Sequence, residues 1–371
     1  MIKNKQKKLT VLQIIPELNS GGVERGTLEV AKYLVDKGHR SIVISSGGRM
    51  KKQLIKEGSK HIEWEIGKKS LLTFKYVITL AKYLSNNNVD ILHVRSRFPA
   101  WVCFFALKII SKAKRPIFIT TFHGSYSINI YSSIMAKGDK VIVISKTIKK
   151  YVLDNYKIDP KKLFLNYRGV DSLEFPYLYK PEKKWITEWN KHYPQTKGKI
   201  LLTLPARITR WKGQEDFIEI ITQLKKNHSN ILGLIVGDVK PNKNNFFSEL
   251  KERTLELGVE NNILFLEHRS DLKEIMSISK IVLSLSLEPE AFGRTTIESL
   301  KLGTPVIAYD HGGVGEQLKA IFPDGRIKKG NLSQAVLLAS DWIKHPPKVP
   351  LSELFNLDKM LENTLKVYKN A

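Results

Sequence analysis

The chain has 371 residues, of which 42% are apolar, and carries 61 Lys and Arg against 36 Asp and Glu, a formal charge of +25, with a single cysteine. Such a length and apolar content imply two domains of ordinary size, each with a buried core, and one cysteine excludes an internal disulfide and favours a reducing compartment. Residues 100–110, the longest apolar stretch, fall short of the about 20 residues a bilayer span needs, and the basic start is followed by neither the apolar run nor the small-residue site of a secretory leader.

Residues 9–15 predict a first strand, and Gly21-Gly22 leads from it into a helix through 27–34 that Gly38-His39 closes before a second strand at 41–45. This is the β-α-β opening of a doubly wound domain. Gly21 and Gly22 let backbone N–H groups approach a phosphate or sugar with no Cβ in the way. The run Gly21-Gly22-Val-Glu-Arg-Gly26 lacks the Gly-x-Gly core of the dinucleotide fingerprint, which argues against a nicotinamide enzyme. Further strands follow at 91–94, 117–122 and 141–144. His123 comes directly after the second of these and is expected to project from its carboxyl end, whereas His93 lies within a strand and reads as structural. Arg95 and Arg97 follow that strand on the side expected for an acceptor, and Cys103 reads as an inert core thiol.

Asn166-Tyr-Arg-Gly-Val-Asp171 closes the first domain, 1–171, and the Pro-, Trp- and Lys-rich residues 172–198 are expected to form the interdomain connection. A second domain, 199–350, opens with a strand at 200–204 and the loop Pro205-Ala-Arg-Ile-Thr-Arg-Trp-Lys-Gly213. Arg207 and Lys212 thus leave one strand end together. Guanidinium offers a planar fork for phosphate oxygens and ammonium a mobile point charge, so the two suit a diphosphate, with Arg210 ranked below both. The next elements are a strand and turn at 232–238, a helix at 250–257 and a strand at 263–266, with Val306-Ile-Ala-Tyr309 and a tail helix at 351–368 later. No long repeat is present.

Between these lies Glu288-Pro-Glu-Ala-Phe-Gly-Arg-Thr-Thr-Ile-Glu298, preceded by a β-prone run at 281–287 and followed by a helix, 297–302, stopped by Gly303 and Pro305. A helix starting beyond the carboxyl end of a strand turns backbone N–H groups toward an anion, and carboxylates beside it accept hydroxyls. Glu290 is expected on the loop and Glu298 roughly two helical turns later. With Gly303-Thr-Pro-Val-Ile-Ala308, Gly312-Gly313 and Glu316, this motif resembles the acidic motif of the retaining glycosyltransferases of GT-B fold, family 4. Arg207, four residues and then Lys212-Gly213 resemble that family's diphosphate clamp, and Asn166 to Asp171 resembles its Asn-Gly-Val-Asp crossing segment with Tyr167 and Arg168 inserted.

The resemblance implies an α/β architecture of two Rossmann-like doubly wound domains facing a cleft, with a C-terminal helix, 351–371, crossing back to the first. It implies a catalytic set of His123, Arg207, Lys212 and Glu290, with His123 at the transferred sugar, Glu290 at its hydroxyls and Glu298 at the ribose. Donor-binding groups would be Gly21, Gly22, Arg207, Lys212 and Glu290, together with Phe292, Gly293, Arg294, Thr295 and Glu298. The base would contact the backbone of Glu267-His-Arg-Ser-Asp271. No Asp-x-Asp stands at a strand end, so neither metal nor cofactor is expected beyond the nucleotide-sugar substrate.

Charge placement bears on the acceptor. Residues 1–170 hold 32 Lys and Arg against 11 Asp and Glu, and residues 171–371 hold 29 against 25, so the first half carries nearly all the excess. Clusters such as Lys51-Lys52, Lys68-Lys69 and Lys112-Ala-Lys-Arg115 suit an anionic bilayer at about 1 kcal/mol per cation. A peripheral enzyme at the cytoplasmic face of the inner membrane, acting on a glycolipid or lipopolysaccharide core, is the expectation. Nucleic acid is a poorer partner because no helix-turn-helix, zinc-ligand or RNA-recognition signature accompanies the charge. Solubility alone is a third source of such charge. The alternatives to transfer are a non-catalytic sugar-nucleotide or nucleic-acid binding protein and an epimerase of the same fold.

Overall fold

A computed structural model describes residues 7–19, 21–238 and 244–370, so residues 1–6 of the basic start lie outside the described residues. Two compact units emerge: residues 1–168 with 358–371, and residues 169–357. Each is a parallel sheet flanked by helices.

The sheet of the first unit comprises β1 Thr10–Ile14, β2 Arg40–Ser45, β3 Lys60–Glu63, β4 Ile91–Val94, β5 Ile117–Phe122, β6 Lys140–Val143 and β7 Leu163–Leu165. Their order is β3-β2-β1-β4-β5-β6-β7, and every pairing is parallel. Central strands such as β1 and β4 are apolar runs because helices cover both faces. The chain steps outward from β1 to β3 and then returns to the other side of β1. That reversal leaves a crevice beyond the carboxyl ends of β1 and β4, where a doubly wound sheet binds ligands. The segments carrying Gly21-Gly22 and Arg95 start there. β3 and β7, absent from the sequence expectation, are short edge strands with partly exposed residues.

In the second unit, β8 Ile200–Pro205, β9 Ile231–Val236, β10 Ile263–Leu266, β11 Ile281–Ser284, β12 Val306–Tyr309 and β13 Arg326–Ile327 run in the order β10-β9-β8-β11-β12-β13, again all parallel. Its reversal falls between β8 and β11. The clamp loop and the acidic loop therefore leave adjacent strands at one switch point.

Three expectations need correction. Residues 172–198 are not a bare connection: they hold the helix Lys183–His192 and belong to the second unit. Trp189 is buried in a cluster with Leu201, Leu232, Leu234 and Val236, its indole donates to Thr196 Oγ1 at 2.9 Å, and Trp185 stacks on it at 5.1 Å. Aromatic anchors four residues apart, rather than aliphatic ones, hold this helix down. The acidic-motif helix starts earlier than expected, at Arg294–Lys301 with Gly293 at its N-cap in the left-handed region (φ 80°), so Glu298 lies little more than one turn inside it. The tail helix is Leu357–Lys369 rather than 351–368, and residues 358–371 belong to the first unit, as the crossing-back expectation requires. There Asn166 Nδ2 donates to Met360 O at 3.0 Å and Thr364 Oγ1 at 2.8 Å.

Candidate active site

The switch point of the second unit is built by close backbone contact. Trp211 O accepts from Leu287 N at 2.7 Å, stitching the clamp loop to the acidic loop. Gly213 permits this: its φ is 74°, and a Cβ there would lie 2.1 Å from Leu285 O. Lys212 Nζ then reaches Glu290 Oε1 at 2.6 Å, with the two side chains only 13% and 20% exposed. Ser286 Oγ donates to the same carboxylate oxygen, and the Lys212 ammonium lies 4.2 Å from the Trp211 ring centroid. Both donors fall on Oε1, which leaves Oε2 to receive a ligand hydroxyl. The Glu290 carbonyl accepts from Gly313 N at 2.7 Å, so the helix Gly312–Ile321 also abuts the loop.

Arg207 is exposed on this loop, its carbonyl held by Gln214 Nε2 at 2.9 Å. Arg210 turns to Glu249 at 2.6 Å and lies over the Phe246 ring. Glu298 is buried, and Arg294 Nε donates to its Oε1 at 2.6 Å. Thr295 is half-buried in the first turn of the same helix. The Phe292 side chain is taken by the core, with its ring edge-on to Phe355 at 5.9 Å, so only its backbone faces away from that packing. At 267–271, Arg269 grips Asp271 through two nitrogens at 2.8 and 2.7 Å, and Trp185 donates to Asp271 at 2.8 Å.

The first unit assembles a different chemistry. His93 is fully enclosed, its ring nitrogens held by the Tyr368 hydroxyl at 2.6 Å and by Thr121 Oγ1 at 2.7 Å. It is structural, as its place in the strand suggests. Buried Arg95 donates twice to Gln13 Oε1, at 3.1 and 2.8 Å. His123 stands at the end of β5, and Arg168 Nη2 lies 3.1 Å from its Nδ1. Since guanidinium can only donate, Nδ1 is the acceptor and the ring proton sits on Nε2. Burial, reinforced by Arg168, Arg95 and His93, holds the His123 imidazole well below its ordinary pKa, so it is neutral. Among the described residues its Nε2 is a buried donor with no partner. Next to it a cavity of about 20 Å³, lined by His93, Arg95, His123, Asn166 and Arg168, has room for one small polar group.

Sequence reading missed how Arg168 enters. Gly26 makes the space, because a Cβ there would lie 1.9 Å from Arg168 Nη1. Of the glycine pair, Gly22 faces open space, whereas a Cβ on Gly21 would meet the Glu24 carboxylate at 2.6 Å. Glu24, three residues beyond the N-cap Gly21, is the acidic residue of this helix's first turn. Cys103 is buried, and burial pushes its thiol pKa up. Among the described residues no group of three or more His, Cys, Asp or Glu side chains is arranged to hold a metal ion, and no helix is long and apolar enough to cross a membrane.

Comparison with known proteins bears on this geometry. The family described as Glycosyltransferase Family 4 matches residues 20–172, and Glycosyl transferases group 1 matches residues 186–350. A glycosyltransferase structure from Rickettsia africae aligns over 98% of both chains with 34% identity and a TM-score of 0.84. The chain belongs to the family 4 glycosyltransferases of GT-B fold. The Anabaena protein HepE, in complex with UDP and glucose, shares the fold of this glycosyltransferase at 19% identity, with a TM-score of 0.83 over 98% of this chain and 100% of the other. N-acetyl-alpha-D-glucosaminyl L-malate synthase of Bacillus anthracis is 24% identical over 82% of the glycosyltransferase chain and 79% of its own.

Proposed function

We propose that this glycosyltransferase moves a hexose-type sugar from a nucleotide-diphosphate donor, with retention of anomeric configuration, onto a glycolipid or lipopolysaccharide-core acceptor at the inner face of the membrane. The observation that carries the donor half is the Lys212–Glu290 contact at the switch point, with Arg207 exposed on the same loop. A diphosphate arriving there competes with Glu290 for the ammonium. Lys212 then turns to the leaving group, and the freed carboxylate accepts from sugar hydroxyls. Cleavage of the anomeric bond places positive charge on the sugar ring and negative charge on the departing diphosphate. Arg207, Lys212 and the N–H groups of the helix that starts after Gly293 stabilise the latter, most strongly where water is excluded. Glu290 and Glu298 orient hydroxyls rather than attack carbon, unlike a glycosidase pair. The acceptor hydroxyl attacks on the face the diphosphate leaves and passes its proton to the departing phosphate oxygen, which yields retention.

HepE, with UDP and glucose bound, supports a nucleotide-sugar donor through its shared fold. His123, with its proton on Nε2, is proposed to donate to a hydroxyl of the transferred sugar. Arg207 and Lys212 supply the charge that a divalent ion would otherwise bring, so activity is expected to survive a chelator. Loss with chelator and return with manganese overturns that point. The reading as a whole is tested by measuring nucleotide release from UDP-, GDP- and ADP-sugars, with and without a lipid acceptor. Release that rises with the acceptor supports transfer. No release from any donor overturns it. Because the Bacillus anthracis relative is named for malate, a small soluble acid belongs in the same panel, and transfer to it rather than to lipid overturns the acceptor assignment.

A further inference from the structure

The first unit carries an apolar surface that its sheet-edge cluster does not use. Large exposed side chains gather on three segments: Leu72, Phe74 and Ile78; Phe105 and Ile109; Ile128 and Ile130. Ile130 and Leu72 are 82% and 78% exposed, and Ile128, Ile109 and Ile78 are each above half. These segments are joined to one another. The Phe74 ring meets Phe105 at 6.2 Å, Phe105 stacks on Trp101 at 5.5 Å, and Trp101 Nε1 donates to Tyr131 O at 3.0 Å. Ile78 follows Phe74, and Ile109 follows Phe105, at the four-residue spacing that puts side chains on one helix face.

The surroundings are of one sign. Residues 67–86, 97–115 and 124–138 contain four, five and one Lys or Arg respectively and no Asp or Glu, while the flanking Glu65 lies 3.8 Å from Lys68. Lysines lie along aromatic faces, with Lys69 over Tyr131 at 5.5 Å and Lys108 over Phe104 at 5.3 Å. Such stems cover apolar surface while their charged ends reach outward. A second copy docked here by two-fold symmetry would bring cations against cations. Nucleic acid would match the charge but has no use for protruding aliphatic chains, since bases stack on flat rings. Anionic headgroups above hydrocarbon match both features.

We propose that this face docks on the anionic surface of a phospholipid bilayer, with Leu72, Ile78, Ile109 and Ile130 entering the acyl boundary and the lysines resting on headgroups. This names the surface behind the membrane-held acceptor proposed above and rests on that reading. The test is co-sedimentation with vesicles of phosphatidylcholine, with and without phosphatidylglycerol, across a salt series. Expected is binding to the phosphatidylglycerol vesicles that weakens with salt and falls at least roughly tenfold in a Leu72→Ser, Ile78→Ser, Ile130→Ser triple variant. The triple variant should keep its melting temperature and its thermal shift with the UDP-, GDP- and ADP-sugar panel. Wild-type failure to bind at low salt, or triple-variant binding equal to wild type, overturns the proposal. So does a wild-type dimer that the triple variant dissociates without any vesicle effect. Vesicle binding without a thermal shift from any nucleotide sugar keeps the docking face and sinks the donor reading alone.

Discussion

The two switch points solve opposite electrostatic problems. In the second unit each acid has a cation: Lys212 on Glu290 and Arg294 on Glu298, at 2.6 Å in both cases. In the first unit Arg95 and Arg168 crowd around His93 and His123, and burial together with like charge keeps both rings neutral. A paired site can exchange partners, so an anionic ligand can take the lysine. A crowded cationic site instead fixes which nitrogen carries a proton. The first arrangement suits a charged leaving group, the second a neutral hydroxyl.

Breaking the pair should have the largest effect. Lys212→Met removes the cation proposed to meet the leaving group and takes one of the two donors from Glu290 Oε1, so kcat should fall by about 10²-fold or more in nucleotide-release assays. Arg207→Ala leaves the pair intact and should cost more than tenfold, about 1.4 kcal/mol of transition-state stabilisation. If both variants turn over normally, the contrast between the units has no catalytic meaning. Glu298→Ala should weaken donor binding by roughly tenfold in titration calorimetry, because the half-buried Arg294 then loses its carboxylate. In the first unit, Arg168→Met removes the group that fixes Nδ1 as acceptor. The His123 titration followed by NMR should then move up toward its ordinary value of about 6.5, and the acid limb of the pH–rate profile should move up with it. An unmoved profile makes Arg168 a packing residue.

The smallest effect separates the units by pH. His39, His61, His93 and His123 all lie in the first unit with pKa values lowered chiefly by burial. Below the unfolded value of about 6.5 the unfolded chain takes up protons that the folded chain refuses, so each such histidine makes stability fall as the pH drops. In the second unit, burial acts to raise the Asp271 pKa, but the Arg269 and Trp185 donors outweigh it and hold the group low. Its contribution is present above the unfolded value of about 3.9 and is lost only as pH falls through the folded one. Hydrogen exchange read by mass spectrometry should therefore show the first unit loosening at mildly acidic pH while the second stays protected.

How much of this was legible in the sequence depended on which forces were local. The strands of both switch points were readable because a parallel strand buried on both faces is an apolar run. Arg207 and Lys212 share one loop and could be read together, whereas Glu290, 78 residues beyond Lys212, was tied to them only through the motif each segment resembles, and the 2.6 Å Lys212–Glu290 contact needed the adjacency of β8 and β11. Lys183–His192 was not, since its anchors Trp185 and Trp189 look like loop aromatics until the sheet beneath them is known. Nor was the Arg168 contact, because the space it occupies is set by Gly26, far away in the chain. The motif says nothing of where the Phe292 side chain goes, which is into the core against Phe355.

The last helix has a consequence for biosynthesis. Leu357–Lys369 supplies the Tyr368 hydroxyl that holds His93, and its Met360 and Thr364 accept from the Asn166 amide nitrogen. The ribosome finishes the strands of the first unit by Leu165, yet must make the whole second unit before this helix emerges. The amino-terminal half therefore waits, incomplete, while its partner folds, and a nascent chain stalled short of Leu357 should expose that half to proteases and chaperones.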